Sequence, residues 1–370
     1  MKTDCYDVGI VGGGPAGAVA GMISARLGLR TIVLEAEIEP KWKPGEVLAP
    51  ECNPILRSID LWSVLTARPD LATLSAGVRS SWGNDHISLR DGFCEPLGAG
   101  WIIQRQAFER FLSEQAAAAG AHWVWGARVH SVEHRNGVWE IAANGLAEPL
   151  LFARFLIDAT GRPAKLARRL GARRVRYQPQ IVAVARWAKT QSQSNWLNIE
   201  SVPGGWWYAV SDPGSLQVLA WFGDYTVVGP SRHAFWGAFA ATHFLQSALA
   251  LPAATEDVHI TIQNAEGAAL DRCAGMGWLA VGDAAMSFDP IASQGLSNAF
   301  ASAHAAAYAA SSCLQGKSQA GDTYAAEMSA AYEFYLGSVQ RHYRSEQRWP
   351  DCPFWRRRHA NSRSQQYGLI

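Results

Sequence analysis

The run Tyr6-Asp7-Val8-Gly9-Ile10-Val11-Gly12-Gly13-Gly14-Pro15-Ala16-Gly17 decides the fold. Its first half reads as a short buried strand. Its second half is a GxGxxG turn with Gly12, Gly14 and Gly17 in the three glycine positions. The first permits a tight turn, the second lets backbone approach a pyrophosphate, and the third lets helix and strand pack closely. Small residues continue as a helix through Arg26, and a second strand over 30–34 ends at Glu35. The helix start, with Pro15 and Ala16 in its first turn, presents free N–H groups and a positive dipole end to phosphate. Glu35 follows Gly17 by 18 residues, near the spacing of roughly 20 at which a carboxylate binds ribose hydroxyls. A carboxylate there suits the unphosphorylated ribose of NAD or FAD, not NADP.

Two later segments choose between those cofactors. Leu156-Ile157-Asp158-Ala159-Thr160-Gly161-Arg162 is a strand running into an Ala-Thr-Gly turn. Trp278-Leu279-Ala280-Val281-Gly282-Asp283 is another, followed by Asp289-Pro290-Ile291-Ala292-Ser293-Gln294-Gly295 and a long helix. Asp283, at a strand end, can accept from a ribityl hydroxyl, which NAD lacks. A helix starting near Gly295 would aim its positive end at the pyrimidine side of an isoalloxazine, where charge develops on reduction. In this order the segments point to FAD.

Composition bounds the rest. A chain of 370 residues is a prior for two domains or one large one. With 48% hydrophobic and 18% charged residues it buries a large core and is not disordered. A net charge of +1 gives no global electrostatic reason to expect nucleic acid. The longest uncharged stretch, 290–316, is broken by Ser, Gln, Asn and His and reads as a buried Ala-rich helix, not a membrane span. Asp4, Asp7 and the patterned glycines argue against a signal peptide. Six cysteines without a CxxC pair argue against zinc and a disulfide framework, and for a cytoplasmic protein. Ten histidines without HExxH spacing leave no metal site to propose. The oddity is 16 Trp against 13 Phe and 10 Tyr, an excess suited to an aromatic wall or a docking surface.

The segments divide into a discontinuous FAD-binding domain (1–75, 101–170 and 270–320) and a substrate domain (76–100 and 171–269). Alternation over 181–225 predicts an antiparallel sheet with one wet face. Residues 235–251 have helical spacing, and helix is expected from Thr323 to about Tyr343. The last part, 321–370, is a helical and basic-aromatic tail. Arg341, Arg344, Arg348, Arg356, Arg357, Arg358 and Arg363 face only Glu346 and Asp351 there, with Trp349, Phe354 and Trp355 interleaved. A solvated tail, a nucleic-acid surface, and a segment that docks a protein or packs over the FAD domain all fit that composition.

This order of motifs resembles the flavoprotein aromatic hydroxylases and flavin-dependent halogenases over nearly the whole chain. The resemblance implies an α/β fold: a Rossmann-like FAD-binding domain of glutathione-reductase type, an antiparallel β-sheet substrate domain and a C-terminal helical segment. By the family pattern Gly12, Gly14, Pro15, Ala16, Gly17 and Glu35 bind the ADP half. Arg105 opens a flavin-contacting helix, Val129 offers adenine a backbone contact, Asp283 holds the ribityl chain, and Pro290, Gly295 and Leu296 border the ring.

Halogenases of this superfamily carry a lysine between the first strands and the arginine helix, and a WxWxIP segment. Here no lysine lies between Lys43 and Lys165, and the tryptophan pair reads Gly205-Trp206-Trp207-Tyr208. A narrower branch is more similar: flavoprotein monooxygenases that assist biogenesis of tryptophylquinone cofactors, including cysteine tryptophylquinone. Lys43-Pro44-Gly45-Glu46-Val47-Leu48, Ser81-Trp82-Gly83-Asn84, Gly100-Trp101-Ile102, Gly205-Trp206-Trp207-Tyr208, 288–295 and the tail carry that likeness. Asn84, Ala292 and Ser211-Asp212 depart from it. The likeness implies hydroxylation of an indole, a tryptophan residue of a precursor of a quinone-cofactor amine or amino-acid oxidase. The oxidant would be a C4a-hydroperoxyflavin formed with O2 as cosubstrate, after reduction by NAD(P)H or a separate reductase. Glu46, Trp82, His86, Trp206 and Trp207 are the candidate cavity residues, with Trp101 and Trp221 as further wall candidates and Glu46 or His86 as an optional base. A small-molecule aromatic hydroxylase or halogenase and a non-catalytic flavin-binding assembly factor are the other readings.

Overall fold

Strand Cys5–Val11 pairs in parallel with Thr31–Glu35 on one side and Leu150–Asp158 on the other. In the computed structural model, which describes residues 5–148, 150–188, 195–214, 216–225, 231–252, 255 and 258–360, they form the centre of an eight-stranded sheet. His122–Trp125 closes one edge, Trp278–Ala280 and Ala274–Gly275 the other, and the hairpin Arg128–Arg135/Val138–Asn144 branches from Leu150–Asp158. Central strands with both faces covered must be apolar throughout, and Val8, Ile10, Ile32, Val33, Leu156 and Ile157 are all buried. Helix Pro15–Arg26 follows the glycine turn directly, and helix Gly295–Leu314 packs against it.

A seven-stranded sheet stands beside the first. Its order is Ile260–Asn264, Ile181–Ala188, Leu216–Gly223, Gly205–Ser211, Trp196–Val202, Gly77–Ser81 and Ser88–Asp91. All neighbours are antiparallel except Trp196–Val202 with Gly77–Ser81. Successive side chains on a strand point to opposite faces. Val182, Val184, Trp206, Val218, Ala220 and Phe222 therefore join the main core. Ala183, Ala185, Trp187, Trp207, Leu219 and Trp221 join a second one. This corrects the expectation of a wet face. Phe235, Phe239 and Leu245 cover that face from two short helices, Arg232–Phe239 and Phe244–Ala248, in place of the one segment expected over 235–251. Glu200 fixes the second helix to the sheet, its carboxylate accepting from the N–H groups of His243 (2.7 Å) and Leu245 (2.9 Å).

The C-terminal helix Gln319–Arg344 leads into a strap that ends in helix Pro353–His359. The strap is not a solvated tail. Trp355 is fully buried and donates to the Val202 carbonyl at 2.9 Å. Arg358, only 2% exposed, lies 3.6 Å over the Phe354 ring. Arg348 pairs with Asp85 and Glu346. The interleaved aromatics pack against the seven-stranded sheet; Arg363 lies outside the described residues. No helix among the described residues is long and apolar enough to cross a membrane.

Candidate active site

The glycine turn is built by close approach. Gly12 has φ +104°, and a Cβ there would meet the Ala159 carbonyl oxygen at 2.2 Å. A Cβ on Gly17 would lie 1.9 Å from the Gly12 carbonyl oxygen, so only glycine lets the helix start this close to the strand. Gly14 differs, because its Cβ would meet nothing within 4 Å. That open space lies at the N-terminus of helix Pro15–Arg26, where first-turn N–H groups could hold an anion. Glu35 braces the turn, with Oε2 accepting from Gly13 N at 2.6 Å and Oε1 from Glu37 N at 2.9 Å.

A cavity of about 670 Å³ extends from this turn to the seven-stranded sheet. Gly12, Gly14, Pro15, Ala16, Glu35, Arg105, Val129, Asp283, Pro290, Gly295 and Leu296 all border it. Gly17 does not, since its role is the packing just described. Arg105 donates from Nε to Glu109 Oε1 (2.8 Å) and from Nη1 to the Gly45 carbonyl (3.1 Å). Burial pushes the Glu109 carboxyl up, but Arg105 and Lys43 outweigh it and hold the group below the usual carboxylate range. Asp283 is half-buried and lies 3.4 Å from Arg162. Helix Gly295–Leu314 opens on the cavity with free space at Gly295. Two open helix starts with a half-buried carboxylate between them in sequence fit a dinucleotide that carries a ribityl chain and a ring.

The sheet side of the cavity is apolar: Val182, Leu197, Ile199, Trp206, Tyr208 and Phe222. Trp206 and Phe222 stack on each other at 4.0 Å and 10°, so that each covers one face of the other. Glu46 interrupts it. Its Oε2 accepts from Gly45 N at 3.0 Å and from the Tyr208 hydroxyl, whereas Oε1 is buried without a partner among the described residues. Burial pushes the Glu46 carboxyl up, against the pull of these hydrogen bonds. Tyr208 is likewise pushed up by burial and then by Glu46. Asp289 also borders the cavity and is fully engaged, accepting from Ile291 N (3.0 Å) and the Tyr343 hydroxyl (2.9 Å). Burial raises its carboxyl too, opposed mainly by Arg358.

Of the candidate cavity residues, Glu46 and Trp206 border this space and Trp82, His86 and Trp207 do not. Trp207 follows Trp206 on one strand, so it must face the other way, and it is fully buried against Phe235 and Phe239. Trp82 packs on the C-terminal segment, against His342 at 4.6 Å and Trp355 at 5.4 Å. His86 is exposed in a turn, where its N–H donates to Asn84 Oδ1 at 2.9 Å. Trp101 is held by Asn53 (3.1 Å) and Trp62, and Trp221 belongs to the second core. Sequence reasoning missed Tyr208, Asp289 and Tyr343. Tyr208 was within reach, because position i+2 from Trp206 shares its face. Among the described residues no three His, Cys, Asp or Glu side chains group to hold a metal.

A putative FAD-dependent oxidoreductase, LodB of Marinomonas mediterranea, is 26% identical over 367 residues, covering 97% of this chain and 98% of the relative. The 1H-pyrrole-2-carbonyl-[peptidyl-carrier protein] chlorinase of Pseudomonas fluorescens is 26% identical over 342 residues, 83% of this chain and 76% of that one. Among solved structures, the flavin-dependent halogenase CmlS superposes with TM-score 0.84 at 22% identity, covering 97% of this chain and 68% of its own. QhpG, described as a peptidyl tryptophan dihydroxylase essential for tryptophylquinone cofactor biogenesis, superposes with TM-score 0.80 at 21% identity (96% and 79%). These likenesses show the α/β halogenase and monooxygenase fold. The family profile described as FAD binding domain matches residues 5–334, and so the chain belongs to that family, a flavin-dependent oxidoreductase with FAD as its cofactor.

Proposed function

We propose that the chain is an FAD-dependent monooxygenase that hydroxylates the indole of a tryptophan residue in a partner protein, a precursor of a quinone-cofactor amine or amino-acid oxidase. One observation carries this over halogenation: the ionisable group set into the apolar sheet side is the Glu46 carboxyl, and among the described residues no lysine lies beside it. Of the cavity's lysines, Lys43 is tied to Glu109 at 2.9 Å and Lys165 opens the short helix Lys165–Arg169, its backbone N–H donating to Thr160 Oγ1. A halogenase of this superfamily needs a lysine to handle hypohalous acid. The full-length likeness to LodB and the fold shared with QhpG support the same reading.

Bound FAD, reduced by NAD(P)H or a separate reductase, supplies an electrophilic oxygen atom from O2; the other atom leaves as water. The chain's own work is binding, orientation and exclusion of water. Gly14 and the helix start after it hold the pyrophosphate, and Asp283 takes a ribityl hydroxyl. The apolar sheet side of the cavity holds the indole. Co-expression with the precursor of a neighbouring quinone oxidase, followed by peptide mass analysis, tests this. One or two added oxygen atoms on a single tryptophan are expected, dependent on this chain. An unmodified or halogenated tryptophan beside an FAD-loaded, reducible chain overturns the proposal.

A further inference from the structure

We infer that the partner protein docks by strand addition: an extended, tryptophan-bearing segment of its chain pairs with the open edge of Ile260–Asn264. The inference rests on the proposed function for what that segment delivers. Ile260–Asn264 is the outermost strand of the seven-stranded sheet and pairs on one side only, with Ile181–Ala188. Hydrogen bonds in an antiparallel pair alternate along the strand. The Ala265 N–H donates to the Gln180 carbonyl at 2.9 Å, which fixes the phase: Gln263 and Thr261 bond inward, to Val182 and Val184. The N–H and C=O groups of Ile260, Ile262 and Asn264 therefore point away from the sheet. Among the described residues nothing pairs with them.

Proteins guard such edges with charge, proline or a bulge, because an open edge invites another strand. The sheet's other edge is guarded: Ser88–Asp91 carries Arg90 and Asp91, and none of its residues borders the cavity. Ile260–Asn264 reads Ile-Thr-Ile-Gln-Asn, without charge or proline, and its pairing runs without a break in register. It also stands at the cavity. Gln263 lies opposite Val182, so the two side chains share a face, and both border that space. Gln263 and Asn264 are exposed, and the cavity therefore meets solvent beside this edge. An added strand would lie about 4.8 Å further out. Its residues opposite Thr261 and Gln263 would face the cavity side, and those between would share the face of Ile260 and Ile262, which pack on the second core. Main-chain bonds hold such a segment, and alternate side chains are read by what lies beneath them. A free amino acid or a small ring has no backbone to use this edge, so the occupant it fits is an extended peptide.

The FAD-loaded full chain is titrated, by fluorescence anisotropy, with labelled synthetic peptides that each span one tryptophan of the co-expressed quinone-oxidase precursor. Amide hydrogen exchange is followed residue by residue with and without peptide. One peptide should bind. In the free chain the Ile260 and Ile262 amides should exchange fast and those of Thr261 and Gln263 slowly. Bound peptide should slow the first pair about tenfold or more and leave the second unchanged. Ile262→Pro removes an outward N–H without touching the ladder to Ile181–Ala188, and should weaken binding about tenfold. Leu89→Pro removes the matching outward N–H on the other edge and should leave binding as it is. The exchange pattern belongs to wild type, so it decides the matter even where Ile262→Pro fails to fold. No binding, protection at Ser88–Asp91 instead, equal weakening by both prolines, or full binding to folded Ile262→Pro overturns the inference. So does slow exchange at Ile262 in the free chain, which would mean an edge already covered by a second copy or by the chain itself. Alternating protection by a peptide whose tryptophan gains no oxygen leaves strand addition standing and removes the hydroxylation reading. A hydroxylated tryptophan with no protection at Ile260 and Ile262 does the reverse.

Discussion

Trp206 Nε1 donates to the Tyr343 hydroxyl at 3.2 Å, and that hydroxyl lies 2.9 Å from Asp289 Oδ2. This short relay joins the cavity wall, the C-terminal helix and the loop before the helix start at Gly295. All three groups are buried, so each bond matters mainly for what its loss would leave unsatisfied. Arg358 stands over the Tyr343 ring at 4.9 Å and pairs with Gln180, and in this way the strap closes the relay from outside. The strap is therefore part of the wall that positions Trp206.

Tyr343→Phe should keep the ring contacts and strand two partners, the Trp206 N–H and Asp289 Oδ2. A loss of about 1–3 kcal/mol is expected, the range for leaving buried polar groups unpaired. Trp206→Phe removes the donor instead. If the two belong to one network, their effects on urea unfolding should fall short of additivity by about 1 kcal/mol in a double-mutant cycle. Additive losses would mean that the relay has no energetic coupling.

The glycine turn separates folding from cofactor binding. Gly17→Ala sets a methyl 1.9 Å from a carbonyl oxygen and should yield little folded protein. Gly14→Ala meets no protein atom within 4 Å, and its φ of −67° suits alanine. It should fold with a melting temperature near that of the wild-type apoprotein and purify with much less flavin, because its methyl occupies the space left for the pyrophosphate. Flavin absorbance per chain and thermal melting check both. Full flavin retention in Gly14→Ala would move the phosphate site elsewhere.

What the sequence made legible was local. The turn at 12–17, its helix and Glu35 follow from backbone chemistry inside one short stretch, and the helix starting at Gly295 follows from its own pattern. Trp206 and Trp207 show where composition misleads. Composition places both in one cavity, although neighbours on a strand cannot share a face. The strap shows the second limit. Counting arginines cannot reveal that Arg358 is buried over Phe354, because that depends on where a distant segment folds back. The Tyr343–Asp289 contact joins residues 54 apart and left no periodic mark in either segment.

The strap's anchor should be acid-labile with a predictable sign. Glu346 is fully buried and accepts from Gly83 N (2.8 Å), Ser201 Oγ (2.6 Å) and Arg348 N (2.9 Å), besides its ion pair with Arg348. Burial alone would raise its carboxyl, but Arg348, Ser201 and the backbone donors outweigh burial and bring it down to about 2, from 4.5. The native state thus binds this proton more weakly than the unfolded chain does. Its stabilisation is fully present above the unfolded value of 4.5 and is lost as pH falls toward 2, by about 3 kcal/mol in all. Glu46 and Asp289, raised by burial, act with the opposite sign, so the informative quantity is a difference. The stability gap between wild type and Glu346→Gln, from urea unfolding at stepped pH, should be largest above pH 5 and shrink steadily between 4.5 and 2. A gap that stays constant across that window would show that Glu346 holds the strap by shape and hydrogen-bond geometry alone, without its charge.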